Sequence, residues 1–327
     1  MGADNEPHFA WAGPAHAAPI PPRELIERTG GRRPEQSDES FIREFYEQAG
    51  RERRSAIIEA LPDDYSFERR RVLDFGCGSG RVLRQFLPEA ASGEFWGCDL
   101  HGPTIAWLDE HLTPPLHFHV NDRIPTPHPD GYFDLVYAIS VFTHITHEWS
   151  AWLLELHRIL KPDGLLLATI VGPEAWGRTL SSPPDEDGLG MCVQQLGQRP
   201  GDNSSGARVL HSPWWLRLHW GRAFEVLSLR PGGFGGGFGV GWHGFVLGRK
   251  KGVSLTRDDL ERPEPEDPRE LEAQRQQLVI LEEEAVAMRE GSERQRARSA
   301  KLTEALERCK AERLRLMQSR EASPRRN

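Results

Sequence analysis

"RVLDFGCGSGRVLRQF", Arg71 to Phe86, is the stretch whose reading decides the fold. The apolar run "VLDF" ends in glycines at 76, 78 and 80, and "GRVLRQFL" then carries apolar residues at helical spacing. A strand, a glycine turn and a helix in that order put the turn at the carboxyl edge of a parallel sheet. Ligands of such folds bind there, at the switch in strand order. Glycines let backbone N–H groups approach a ligand with no Cβ in the way, and the helix that follows offers its N-terminus. A plainer reading gives the three glycines only a tight turn.

Outward from this stretch, strands and helices alternate as far as Lys251. "EFWGCDL", "LHFHV", "FDLVYAISVF" and "LLLATIVG" read as strands, and "TIAWLDEHL" and "EWSAWLLELHRIL" as helices, with "KPDG" a turn. "FDLVYAISVF" is apolar nearly throughout, as a strand covered on both faces is. Strands separated by helices imply a parallel sheet with helices on both faces. Later, "SPWWLRLHW" reads as a helix, and "FEVLSLRP" and "HGFVLGRK" as strands.

Five segments follow from composition. Residues 1–37, rich in Pro, Ala and Gly without a period, read as a disordered lead-in. Residues 38–252 form the main domain and open with a helix carrying Phe41, Phe45, Ala49, Ile57 and Leu61. Within it, 173–209 is a long polar insertion of the kind that is functional or unstructured. Residues 253–268 read as a linker, 269–318 as a coiled-coil helix and 319–327 as a disordered tail. With Leu271 at heptad position a, Leu278 and Leu306 share that position, and Leu281, Leu302 and Leu316 fall at d. The register weakens around "EGSERQRARS", and a lone solvated helix is the competing reading. A coiled coil implies a homo-oligomer.

The 327 residues carry a net charge of -8, with no basic stripe, so no nucleic-acid partner is expected. Cys77, Cys98, Cys192 and Cys309 form no C-x-x-C pair, no metal-ligand spacing is present, and a reducing cytoplasm is the expected location. No apolar run approaches the roughly 18 residues of a membrane span. The N-terminus shows neither a secretory pattern nor a myristoylation pattern, since Glu6 stands where Ser or Thr is needed.

The glycine spacing distinguishes ligands. A dinucleotide turn, G-x-G-x-x-G, needs glycine at 81, where Arg81 stands, which disfavours a nicotinamide oxidoreductase. "LDFGCGSG" is G-x-G-x-G preceded by Asp74, and this resembles the first motif of class I S-adenosylmethionine-dependent methyltransferases. Asp99 closes the second strand, "NDRIPTPHPDGYFDLVYAISVFTHI" is similar to the third and fourth motifs, and "ILKPDG" resembles the family's "LKPGG" with Asp163 for a glycine. The resemblance covers roughly Asp38 to Lys251. It implies a doubly wound, mostly parallel seven-stranded α/β sheet of the Rossmann-like methyltransferase fold.

The resemblance also implies roles. Gly76, Cys77, Gly78 and Gly80 flank the methionine part of S-adenosylmethionine, and Asp74 holds its ammonium group. Asp99 takes the ribose hydroxyls and Leu100 packs on the adenine. Asn121 or Asp122 faces the adenine amino group, with Asp122 slightly preferred, and Ser140 lies near the amino-acid part. Plainer readings make Asp99 a cap of the next turn and Asp122 a turn residue.

Methyl transfer needs alignment of nucleophile, methyl and sulfur above all, and a base where the acceptor is a hydroxyl. "SVFTHI" places His144 at the mouth of the fourth strand, which makes it the first candidate base; a hydrogen bond to a helix start, or structural packing, is the competing role. His147, His211 and His243 are weaker candidates, and Phe142 is a candidate aromatic face for the sulfonium. "SVFTHI" also resembles bacterial methyltransferases associated with polysaccharide biosynthesis, which implies a glycan or small-molecule hydroxyl acceptor. Trp176, Arg178, Trp214 and Trp215 lie where such enzymes build substrate pockets, although core packing is the commoner task for tryptophan. The alternative from another class is a non-catalytic cofactor-binding scaffold that acts through its C-terminal coiled coil.

Overall fold

The structure, a computed structural model, describes residues 18–30, 39–178, 180, 183, 185–195, 207–235, 242–283, 285, 286 and 289. The chain divides into two compact units, Met1–Gln277 and Leu278–Asn327. The larger unit holds the sheet.

Its strands are β1 (Arg71–Phe75), β2 (Glu94–Asp99), β3 (Leu116–Val120), β4 (Phe133–Ala138), β5 (Leu160–Ile170), β6 (Met191–Gln195), β7 (Ala207–His211), β8 (Phe224–Arg230) and β9 (Gly244–Lys250). Seven make one sheet in the order β3-β2-β1-β4-β5-β9-β8. The first five are parallel, and β9 runs antiparallel to both β5 and β8. The chain order reverses between β1 and β4, so the crevice of the fold opens at their carboxyl ends. The sheet is the mostly parallel, seven-stranded α/β sheet expected from the sequence. β6 and β7 form a separate two-stranded hairpin.

Alternation along the strands makes two cores. Leu73, Val136, Ala138, Leu166 and Ala168 face one side, under α4 (Trp149–Ile159) and α6 (Pro213–Ala223). Val72, Leu135, Tyr137, Leu165 and Leu167 face the other, under α2 (Glu39–Ala60) and α3 (Gly102–Leu112). β4 is buried at every position, as a central strand covered on both faces must be. Ser212 caps α6 by accepting the Trp215 N–H, and Pro213 takes the first helical position, where no N–H is missed.

Four expectations are revised. "GRVLRQFL" forms a short 3-10 turn, Leu83–Phe86, rather than an α-helix. Only seven residues separate Gly80 from Pro88, too few to repay helix nucleation, and Arg84 and Gln85 are buried against Glu47 of α2. "KPDG" is absorbed into β5 as an irregularity, with Asp163 at a φ of 60°. Part of the lead-in is packed: Ala18 and Pro19 accept hydrogen bonds from the buried Arg84, and α1 (Arg23–Gly30) sets Ile26 against Ile42 and Tyr46. Within 253–268, α7 (Arg257–Glu261) opens on a Thr256–Asp259 capping box and buries Leu260.

Residues 268–283 are helical, with Leu271, Leu278 and Leu281 exposed. The coiled-coil reading beyond them, Cys309 and the tail lie outside the described residues. None of the described helices is long and apolar enough to cross a membrane.

Candidate functional site

The glycine turn stands at the switch point. Gly76, Gly78 and Gly80 have φ of 78°, 54° and 74°, a region side chains disfavour. A Cβ on Gly76 would come within 2.5 Å of Val141, and one on Gly80 within 2.7 Å of Leu108. The Gly76 and Cys77 N–H groups both reach the Cys98 carbonyl, tying the turn to β2. Tyr46 of α2 donates to the Ser79 carbonyl at 2.6 Å and holds the turn from above.

Asp74 closes the crevice floor. It is 2% exposed, and its Oδ2 has no hydrogen-bond partner of normal geometry. Burial pushes its pKa up to about 8, against a downward bias from the neighbouring Tyr137 hydroxyl. Asp99 accepts the Gly78 N–H at 2.9 Å and the His101 N–H at 3.0 Å, one on each oxygen. It therefore caps the next turn, as the plainer reading held. Each carboxylate oxygen keeps a second lone pair for a hydroxyl donor.

Leu100, 59% exposed, projects an apolar side chain beside Asp99. Asn121 is buried, with its N–H on the Asp99 carbonyl, whereas Asp122 is exposed next to Arg123. Ser140 follows β4 at a φ of 63°, its N–H on Thr169 Oγ1 at 2.7 Å. A non-glycine residue held in that region is a mark of functional turns.

These residues fit S-adenosylmethionine. A buried, unpartnered carboxyl oxygen suits an ammonium group. A glycine cradle admits a ligand against backbone, an acceptor pair suits two ribose hydroxyls, and an exposed leucine suits a purine face.

The segment after β4 is built differently. Thr143 and His144 follow β4, and the hairpin lies over them: the Val209 N–H reaches the Thr143 carbonyl at 2.8 Å, and His211 N–H the Val171 carbonyl at 2.9 Å. His144 Nδ1 lies 2.9 Å from the Ala207 carbonyl. A carbonyl only accepts, so Nδ1 carries a proton, which in the neutral ring leaves the lone pair on Nε2. The bond runs to a strand carbonyl and not to a helix start.

The other candidates separate. His243 is buried near His144, Arg53 and Arg208, and burial first, then these neighbours, lower its pKa to about 3. His211 turns away, between Trp215 and Trp220, and burial lowers it to about 3. His147 is exposed. Phe142 is fully buried against Trp220, 4.7 Å away, and faces the core. Trp176, Trp214 and Trp215 are core residues, the first two with indole N–H groups on the Val171 and Leu189 carbonyls, and Arg178 is exposed.

The hairpin, Ala207 and Tyr46 escaped the sequence reading. The only signals for the hairpin are the short apolar runs "MCV" and "VL", separated by a polar, glycine-rich stretch.

Residues 73–168 match a family described as a methyltransferase domain, spanning β1 to β5. A probable chloroplastic tocopherol O-methyltransferase of Oryza sativa is 29% identical over 119 residues, 35% of this chain and 32% of that protein. The tRNA U34 carboxymethyltransferase of Hydrogenovibrio crunogenus is 32% identical over 130 residues, 35% of this chain and 36% of that one. The match thus spans about a third of the length of these curated relatives. A solved S-adenosylmethionine-dependent methyltransferase from Methanosarcina mazei aligns over 58% of this chain and 98% of its own, at 18% identity and a TM-score of 0.44. The fold assignment therefore rests on this chain's own strand order.

Proposed function

We propose, from the match of residues 73–168 to a methyltransferase domain and from the glycine turn at the switch point of the sheet, that this protein is a class I S-adenosylmethionine-dependent enzyme that methylates a hydroxyl of a small-molecule or glycan acceptor. Bound in the glycine crevice, S-adenosylmethionine supplies a methyl group on a sulfonium, displaced in line with a neutral leaving group. The chain's own residues do the rest.

Gly76, Cys77, Gly78 and Gly80 bring backbone against the cofactor's methionine part, and Asp74 Oδ2 accepts from its ammonium. The spare lone pairs of Asp99 accept from the ribose. Leu100 covers the adenine, and Asn121 or Asp122 takes its amino group. Ser140 borders the amino-acid part, and Val141, packed on Gly76, narrows the mouth.

His144 removes the acceptor's proton through Nε2. The single observation that supports this is the Nδ1–Ala207 hydrogen bond, which fixes the base-competent tautomer at the mouth of β4. Such a base contributes about 10²–10⁴-fold. A sugar hydroxyl is the acceptor suggested by the Ser140–Ile145 stretch. A reducing cytoplasm suits the buried thiols at Cys77 and Cys98. Self-association through the C-terminal helix is supported by the exposed Leu271, Leu278 and Leu281, which share the heptad seam.

The test is methyl-labelled cofactor offered with a panel of acceptors, sugars first, beside titration calorimetry of cofactor binding. Label should reach a hydroxyl, and His144→Gln should cut transfer about 10²–10⁴-fold with cofactor affinity unchanged. No heat of cofactor binding would sink the enzyme reading and leave the scaffold alternative. Full transfer by His144→Gln would remove His144 from the base role.

A further inference from the structure

We propose that Gln277 is a positioning residue for His144 and acts on it through the β6–β7 hairpin; this rests on the reading of His144 as the acceptor-side base.

A two-stranded antiparallel sheet has two outer edges. Residues alternate between those that bond across the ladder and those whose N–H and C=O point outward. The register pairs Met191 with His211, Val193 with Val209 and Gln195 with Ala207. All three β7 members of these pairs bond outward, toward the mouth of the site. The Ala207 carbonyl accepts from His144 Nδ1, the Val209 N–H meets the Thr143 carbonyl, and the His211 N–H meets the Val171 carbonyl.

On the opposite edge, Gln277 bonds the Val193 backbone twice. The Val193 N–H donates to Gln277 Oε1 at 2.7 Å, and Gln277 Nε2 donates to the Val193 carbonyl at 3.2 Å. A primary amide offers a donor and an acceptor side by side, as a peptide group does. Gln277 thus caps the β6 edge where a third strand would otherwise lie.

The helical residues that carry it are anchored on the same unit. Glu270 meets the buried His219 at 2.9 Å, and Arg269 lies 4.8 Å from the Trp214 ring. A Cβ on Gly190 would stand 3.2 Å from Ala273, so the helix crosses closely over the start of β6.

The hairpin is seated by burial of Cys192, Ala207, Val209 and Leu210 and by the Leu210–Val171 bridge, but two strands alone hold their ladder weakly, so the grip on the outer edge adds to how firmly the inner edge sits. Gln277 and Val193 lie on one side of the ladder, and Val209, Ala207 and His144 on the other. Loosening the first lets the Ala207 carbonyl drift. His144 then loses the acceptor that keeps its proton on Nδ1, and its tautomers mix.

The experiment uses the full chain with nitrogen-labelled histidine. Gln277→Met keeps helix propensity and volume but removes both bonds. Gln277→Glu keeps the acceptor and removes the donor, so a folding defect in one variant leaves the other to read. The proposal expects His144 to be an Nδ1–H tautomer in the parent and a tautomer mixture in Gln277→Met. It also expects amide exchange at Val209 and His211 to rise at least about tenfold, with β1 and β4 unchanged. Cofactor affinity measured with S-adenosylmethionine should stay within twofold, on the order of experimental scatter. An unchanged His144 tautomer, or exchange raised at Val193 alone, overturns the proposal. Failure of the base reading looks different: His144→Gln then keeps full transfer while the tautomer shift in Gln277→Met persists.

Discussion

The two sides of the crevice are made in opposite ways. The side proposed for the cofactor comes from two short stretches, Asp74–Gly80 and Asp99–His101, that bond to each other through backbone and one carboxylate. The side proposed for the acceptor is assembled from the end of β4, a hairpin some sixty residues on and a glutamine beyond that. The first is tied down locally, by the Gly76 and Cys77 N–H groups on the Cys98 carbonyl and the Gly78 N–H on Asp99. The second is held by a few hydrogen bonds between distant segments and is correspondingly easier to loosen without unfolding the protein.

The largest expected effect breaks the cofactor side alone. Gly76→Val places a branched side chain at a φ of 78° and against Val141. Calorimetry should show S-adenosylmethionine affinity reduced at least about 100-fold, the equivalent of roughly 3 kcal/mol. Binding within tenfold of the parent would mean the turn is not the cradle.

Asp74→Asn sharpens the comparison, because it separates stability from binding. The carboxyl's pKa is raised to about 8 in the folded protein, so the unfolded chain releases its proton first as pH rises. The stability linked to this group is fully present below pH 3.8 and is lost between there and about pH 8. The amide removes that loss, and at pH 7 denaturant midpoints should rise by the equivalent of about 2–4 kcal/mol while cofactor affinity falls. In the parent, binding the ammonium should release a proton below pH 8, visible as buffer-dependent heats. Heats that are identical in buffers of different ionisation enthalpy would refute the role of Asp74.

The histidines report on the acceptor side. Burial lowers His211 and His243 to about 3 in the folded state, so their contribution is complete above pH 6.5 and is lost as pH falls toward 3. His211→Gln should reduce the proton uptake of acid unfolding by about one, read from the slope of stability against pH below 6.5. An unchanged slope would mean that His211 is solvated.

The smallest expected effect lies where α2 covers the turn. Tyr46→Phe removes the hydrogen bond to the Ser79 carbonyl and should lower stability by about 1–3 kcal/mol, since it leaves a buried acceptor unmet. Cofactor affinity should change by less than about tenfold, that is by less than 1.4 kcal/mol. A larger loss of affinity would show that α2 shapes the cradle itself.

How much was legible differs between the two sides for the same reason. Apolar runs and helical spacing placed β1 to β5, α3, α4, α6, β8 and β9, β4 by an apolar run without a period. These signals failed at "GRVLRQFL", where Pro88 and the packing of α2 cut the helix to one 3-10 turn, and at 191–211, where five-residue strands are too short for a period to register. Tryptophans 176, 214 and 215 were open to two readings because an indole suits a core and a binding face equally; their burial decided for the core.

The sequence by itself determined the strand–turn–strand grammar and the candidate cofactor residues. The glycines at 76, 78 and 80, Asp74 just before the end of β1 and Asp99 at the end of β2 can be read at single positions. Only the tertiary structure decided that Asp74 keeps an unpartnered buried oxygen, that His144 carries its proton on Nδ1 and that Gln277 grips the far edge of the hairpin. Burial and hydrogen-bond partnership arise between segments far apart in the chain, and no local pattern encodes them.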